Sequence, residues 1–413
     1  MWKGDCQESK YGDAVTSDID RLPIEWLTGG LPSTAGTVGV FDTTRVNFLV
    51  ALSERLLSHP EIKKYTDLAA FAFWCRRANI ERKKIGVNDS MHRLGWGIAL
   101  HITPGNVPVN CAFSFAFGLL SGNSNVVRLP SKDFPQIELL ISEMTHLFSK
   151  SEFSEVAKYN CLVRYDRNGN VTGSLSRISD LRLIWGGDET IYEVRKLACG
   201  PRCVDLVFPD RYSFSVISLE SLRDSKDDEL ETLTQRFYND TYLFDQNACS
   251  SARLIVWYGK EQADERELFW ERLQRYTESR YEVFLGLAVE KYGRWCSDML
   301  GGSTVRRVVR HGGWVYRVEW EVLPENSEQY LGRGGYFYEW VTEDLDVISN
   351  LASKRCQTLS YFGMNKEVLK SIVVENKLVG IDRIVPIGRG LDMDLVWDGH
   401  DLVRSMSRVI SVS

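Results

Sequence analysis

The chain has 413 residues, 44% hydrophobic and 26% charged, and a formal net charge of −6 at pH 7. This is the composition of a globular protein long enough for two or three domains, and it excludes wholesale nucleic-acid binding and a charged tail. The opening MWKGDCQESKYGDAV lacks the apolar core of a secretion signal, and the run CAFSFAFGLL is too short to span a bilayer. Nine scattered cysteines, an odd number, fit reduced thiols in the cytoplasm, and no histidine near Cys199 and Cys203 completes a metal site there.

Residues 43–84 carry apolar side chains at helical spacing in two runs, TTRVNFLVALSERLLS and YTDLAAFAFWCRRANIERKKI. LGWGIALHI (Leu94–Ile102) reads as a strand ended by Thr103, Pro104, Gly105 and Asn106. VNCAFSFAFGLLSG then reads as an apolar helix closed by Gly122, and NVVRLP (Asn125–Pro130) as a second strand. Together they make one βαβ unit, which calls for a parallel sheet with helices packed over it. CLVRYD (Cys161–Asp166) and LRLIWGG (Leu181–Gly187) continue the strands, and DETIYEVRKLA follows as a helix. Its entry, Gly186–Gly187–Asp188, offers bare amides at a helix N-terminus, a natural seat for a phosphate, although the full G-x-G-x-x-G fingerprint is absent.

A second α/β set begins at YSFSVISLE (Tyr212–Glu220), which places the domain junction near Val204–Asp210. It continues through one charged helix, SLRDSKDDELETLTQRF, a cysteine-bearing loop, the strand RLIVWYG and another charged helix. The tail from Gly380 mixes strands and turns, either a return to the first domain or an oligomer contact. The loop itself, DQNACSS (Asp245–Ser251), sets Cys249 among small polar residues. Such flanks suit a thiol that a substrate must reach; a buried structural cysteine is the alternative.

HITPGNVP, GLLSGNSNVVRLPSK, WGGDE, DQNACSS, QTLSYFG, GIDRIVPIGRG and WDG follow one another across roughly residues 85–413. As a set they resemble the LuxC-type acyl-CoA reductases, a branch of the aldehyde dehydrogenase superfamily. Residues 1–84 match less clearly, and the chain is shorter than the luminescence members, which implies a trimmed N-terminus or a different acyl pocket. The resemblance implies an α/β, aldehyde dehydrogenase-like fold: a helical segment over 1–84 packing on the cofactor domain, a Rossmann-type NAD(P)-binding domain over 85–205, a catalytic domain over 206–370 and a C-terminal return or oligomerisation segment over 371–413. It further implies a cytoplasmic homo-oligomer whose substrate is an acyl-CoA or acyl-carrier thioester, with an acyl-protein synthetase or transferase as a further partner.

The same resemblance implies the site residues. Cys249 is the nucleophile that takes the acyl group from its carrier, a near-thermoneutral exchange of one thioester for another. Asn106 donates to the developing oxyanion, together with the backbone N–H of Cys249; its plainer reading is a turn residue. Arg128, Ser131 and Lys132 lie where the nucleotide ribose would sit. Ser131 stands where NAD-preferring members often carry an acid, and with Lys132 beside it this favours NADPH and leaves NADH as the alternative. Trp185, Gly186 and Gly187 match the segment facing the pyrophosphate. Glu339, in YFYEWVTEDLD, is a candidate ligand of the nicotinamide ribose. Gln357 and Thr358 match the family's QT pair without an assigned role, and His101 reads as a packed strand residue.

Two departures stand out. The ELGGK-like segment of hydrolytic relatives is replaced by CVDLVFPD, with Asp205 the nearest acid, which favours reduction over hydrolysis. No histidine lies between His146 and His311 to activate the thiol, which leaves Asp205, or a helix N-terminus with the cofactor's positive ring. The rival readings are a CoA-acylating aldehyde dehydrogenase running in the oxidative direction and a non-catalytic thioester-binding relative.

Overall fold

The computed structural model describes residues 19, 21–32, 35–87, 92–166, 170–260, 262, 264–300 and 304–412. Residues 1–18 of the expected N-terminal helical segment lie outside them. The chain forms two compact units, one running to Pro209 and taking back the tail from His400, the other spanning Asp210–Gly399. The expected tail segment 371–413 is therefore divided: it belongs to the second unit as far as Gly399 and to the first from His400.

The first unit is built on a six-stranded sheet. Its strands are β1 (Glu25–Gly29), β3 (Ile98–Ile102), β4 (Ser124–Arg128), β5 (Asn160–Arg164), β6 (Leu181–Trp185) and β7 (Val204–Phe208), in the order β1-β5-β4-β3-β6-β7. All neighbours are parallel except β1 with β5. A sheet covered on both faces needs strands that are apolar throughout, and every residue of β3, β4 and β6 is buried. The apolar helix Asn110–Leu120 crosses from β3 to β4. Helix Thr43–Ser58 is capped by Asp42, which accepts from the backbone N–H of Thr44 (3.1 Å) and Arg45 (3.2 Å). Its Phe48 packs on Phe115, Phe148 and Phe153 with ring centroids 5.2–6.3 Å apart.

The single strand expected over Leu94–Ile102 is two. His92–Gly95 (β2) leaves the main sheet and pairs antiparallel with the tail strand Ser407–Ile410. The chain then bends at Gly97, whose φ of +150° and contact with Asp180 leave no room for a side chain: a Cβ there would lie 1.9 Å from Asp180 Oδ2.

The second unit carries a seven-stranded sheet. Its strands are β8 (Tyr212–Ser218), β9 (Leu254–Tyr258), β10 (Val305–His311), β11 (Val315–Trp320), β12 (Tyr336–Thr342), β13 (Cys356–Phe362) and β14 (Arg383–Pro386), ordered β10-β11-β12-β9-β8-β13-β14. Only β10–β11 is antiparallel. The single charged helix expected after β8 is two helices, Leu219–Asp224 and Asp227–Tyr242. The second starts afresh at Lys226, whose backbone N–H is capped by Glu229 (2.9 Å). Among the described residues no helix is long and apolar enough to cross a membrane.

Candidate active site

In the first unit, β4 and β6 flank β3 on opposite sides, so the strand order reverses at β3. In open parallel sheets the crevice outside the carboxyl ends at such a point is where ligands bind. Five of the sequence candidates reach that edge. Asn106 is exposed on the loop after β3, Ser131 and Lys132 are exposed after β4, and Gly186 and Gly187 are half-buried after β6. Asp133, beside Lys132, is turned towards Arg164 (3.2 Å).

The other candidates of this unit face inward. Arg128 ends β4 but is only 3% exposed; its guanidinium stacks on the Tyr165 ring (5.0 Å) and donates to Tyr165 O (3.4 Å). It is therefore packed under the sheet edge rather than exposed on it, unlike Ser131 and Lys132. Trp185 is buried, stacked on Phe208 at 3.6 Å, and its indole N–H donates to Ser114 Oγ (3.0 Å). The helix after Gly187 also differs from a phosphate seat, because its first turn carries the exposed carboxylates Asp188 and Glu189. Asp205 is held by Arg182 through two bonds of 2.6 and 2.8 Å, which removes it as an activator of the thiol.

Beneath the edge runs a polar chain that sequence reading missed. Trp185 donates to Ser114, Ser114 Oγ meets His101 Nδ1 (2.7 Å), His101 Nε2 meets Asn125 Oδ1 (2.9 Å), and Asn125 Nδ2 donates to Asn160 Oδ1 (2.6 Å). Because Asn125 Oδ1 can only accept, His101 carries its proton on Nε2 and accepts from Ser114 on Nδ1. Burial pulls the His101 pKa down to about 4. Its neutral ring is therefore a strut between β3, β4 and β6, and the available signal was polar residues set inside apolar elements.

In the second unit, Cys249 lies in the turn between helix Asp227–Tyr242 and β9, at the amino edge of the parallel strands. The turn is tight: Asp245 and Gln246 take left-handed backbone angles, φ 51° and 60°. It is also fastened at each end. Tyr281 OH donates to Asp245 Oδ1 (2.6 Å), and Gly334 N–H to Asp245 O (3.0 Å). Ser213 Oγ donates to Cys249 O (2.7 Å) and accepts from Thr358 N–H (3.1 Å). Cys249 is partly exposed. Burial pushes its thiol pKa up, and the Arg211 backbone N–H and the Arg253 charge pull it back.

Gln357, which the resemblance left without a role, donates from Nε2 to Asp398 Oδ1. Asp398 is in turn close enough to Cys249 to raise its pKa, so QT and WDG converge on the cysteine turn. Glu339 does not fit its expected role. It has no accessible surface, and its carboxylate accepts from the indole N–H of Trp257 (2.8 Å) and Trp270 (3.0 Å) and from Arg317 (3.1 Å), with Arg266 3.7 Å away. It is the centre of a buried charge network.

A family model for acyl-CoA reductase (LuxC) matches residues 75–410. The chain belongs to this family. Among relatives, the long-chain acyl-protein thioester reductase of Aliivibrio fischeri is 24% identical over 329 residues, 76% of this chain and 63% of that protein. The LuxC chain described here thus spans less than two thirds of that relative's length. Among solved structures, the oxidoreductase from Marinobacter aquaeolei aligns over 97% of this chain and 90% of its own, with a TM-score of 0.66 and 11% identity. Aldehyde dehydrogenase 21 from Physcomitrella patens aligns over 88% and 84%, with a TM-score of 0.63 and 11% identity. The LuxC chain therefore has the aldehyde dehydrogenase fold.

Proposed function

We propose that this chain reduces an acyl thioester to an aldehyde with NADPH, through an acyl-cysteine formed on Cys249. The observation that carries the reading is the cysteine turn: a partly exposed thiol on a backbone pinned by Ser213, Gln246 and Tyr281, with the Arg211 N–H and the Arg253 charge favouring its thiolate. Cys249, as the thiolate, attacks the acyl carbonyl; a C–S bond forms to Cys249 and the bond to the carrier sulfur breaks, releasing the carrier as its thiolate. The backbone N–H of Cys249 serves as a donor to the oxyanion. When bound, the cofactor supplies the hydride. Cys249 leaves as a thiolate as the acyl carbon becomes an aldehyde.

The exposed ammonium of Lys132 at the carboxyl end of β4 fits a phosphate, and Gly186 and Gly187 after β6 present no side chain to hinder a close backbone approach. Ser131 in place of an acid, and Asp133 drawn to Arg164, favour a ribose that carries a 2′-phosphate. The acyl donor is a thioester of coenzyme A or of a protein carrier, delivered by a transferase or synthetase partner to a homo-oligomeric enzyme in the cytoplasm.

The test is intact-mass spectrometry of the protein incubated with a panel of acyl-CoAs, without nicotinamide, beside Cys249→Ala. An acyl-sized increase that Cys249→Ala abolishes and NADPH discharges supports the reading. An adduct that survives Cys249→Ala, or one that NADPH leaves in place, overturns it.

A further inference from the structure

Arg253 stands four residues after Cys249 and leads into β9, and it is 7% exposed. Its backbone is fixed on both sides: its N–H donates to Ser213 O (3.0 Å) and its carbonyl accepts from Tyr338 N–H (2.8 Å). Of the guanidinium, Nη2 donates to Gln246 O (3.1 Å), inside the cysteine turn. Nε and Nη1 are buried and have no hydrogen-bond partner among the described residues. A buried cation with two idle donors is costly unless an anion meets it.

The groups facing it narrow what that anion is. Arg333 and Arg355 add positive charge around Arg253, and Arg333 itself pairs with Glu290 (3.4 Å). The Tyr212 hydroxyl is buried with no hydrogen-bond partner among the described residues, and burial pushes its ionisation far up, so it stays neutral. Around the sulfur, the Arg211 N–H and Arg253 favour the thiolate, while Asp398 and Asp210 oppose it. Cys249 is the neighbour that becomes an anion on losing one proton.

We propose that Arg253 is the positioning residue that stands in for the absent histidine, its fixed charge stabilising the Cys249 thiolate and then the departing carrier thiolate. The inference rests on Cys249 being the nucleophile. Arg253 neither gains nor loses a proton. The Cys249 proton passes to solvent before attack, and the negative charge then moves from one sulfur to the other as one C–S bond forms and the other breaks.

The test is the pH dependence of iodoacetamide alkylation at Cys249 in the full chain, read by peptide mass spectrometry so that other cysteines do not count. Arg253→Gln keeps a donor for Gln246 O without the charge, and Arg253→Lys keeps the charge. The expected result is a midpoint raised by about one unit in Arg253→Gln, with alkylation at pH 7 slowed about tenfold, and a midpoint within about half a unit of wild type in Arg253→Lys. An unchanged midpoint in Arg253→Gln overturns the proposal, as does an Arg253→Lys midpoint shifted equally far. Near-UV circular dichroism checks folding, and if Arg253→Gln does not fold, the Arg253→Lys midpoint decides. The alkylation profile is read whether or not an acyl donor is found, so a missing acyl adduct counts against the proposed function and not against Arg253.

Discussion

Gln246 and Tyr336 are locked together through both ends of the glutamine amide. Gln246 Oε1 accepts from the N–H groups of Gly335 (3.1 Å) and Tyr336 (3.2 Å), while Nε2 donates to the carbonyls of Ala252 (2.8 Å) and Tyr336 (3.2 Å). The side chain is fully buried, and its backbone φ is 60°. One residue thus ties the cysteine turn to the start of β12. Gln246→Leu fills a similar volume but leaves two buried N–H groups and two carbonyls unpaired. At about 1–3 kcal/mol for an unsatisfied buried group, and with incomplete additivity, the expected loss is about 3 kcal/mol in urea unfolding of this unit. Acylation of Cys249 in the folded protein should slow with it, because the turn is no longer held.

The His101 chain predicts an acid-sensitive first unit. With a folded pKa near 4 against an ordinary 6.5, the unfolded chain binds a proton that the folded chain refuses. Stability from this group is therefore complete above about pH 6.5 and falls as the pH drops towards 4, by on the order of 3 kcal/mol. The mechanism is local: a second ring proton would set the His101 Nδ1–H against a Ser114 Oγ that already accepts from Trp185 and leave the Ser114 proton without its acceptor. His101→Gln, which does not titrate in this range, should flatten that part of the stability profile, measured by denaturant unfolding across pH 4–7.

What the sequence disclosed and what it withheld differ in kind. The βαβ core was legible because β3, β4 and β6 are buried throughout and read as apolar runs broken by glycine and proline. The split of Leu94–Ile102 was not, because it depends on Gly97 lying against Asp180, a contact 83 residues away in sequence (180 − 97). The cysteine stood out through its small neighbours, whereas its support comes partly from Ser213 and Tyr281, which no local pattern marks, and from Gln246 and Gln357, whose motifs carry no sign of the bonds they make. Glu339 misled for the same reason. A charged residue in a strand suggests an exposed end until Arg266 and Arg317 arrive from other elements to neutralise it.

That placement of Glu339 makes a prediction opposite to a ribose ligand's. Glu339→Gln keeps the shape but removes the charge facing Arg317 and Arg266 and sets an NH₂ against one of its donors. Breaking a buried ion pair from one side typically costs about 3–5 kcal/mol. Thermal unfolding should show the second unit strongly destabilised, while NADPH affinity of the folded fraction, titrated by fluorescence at low temperature, should stay within about twofold of wild type, a change below 0.5 kcal/mol. A selective loss of cofactor affinity without loss of stability would return Glu339 to the cofactor.

Lys132 carries the cofactor preference in the proposed function. It is exposed at the carboxyl end of β4, and its ammonium lies over the Phe134 ring at 5.2 Å, so it is available to a ribose phosphate without leaving a buried partner. Lys132→Ala should leave the fold untouched, because no buried contact is lost, and should reduce the ratio of kcat/KM for NADPH over NADH by about tenfold, the effect of losing one charge-assisted contact of about 1.4 kcal/mol. The wild-type preference should also weaken as salt rises from 0.05 to about 0.5 M, since an exposed cation and a phosphate are screened over a Debye length of several ångströms. Ser131→Asp should push the ratio the same way by repelling the phosphate and accepting from a free 2′-hydroxyl. If both variants keep the wild-type ratio, the nucleotide's phosphate is held by another cation and the edge after β4 is not its ribose site.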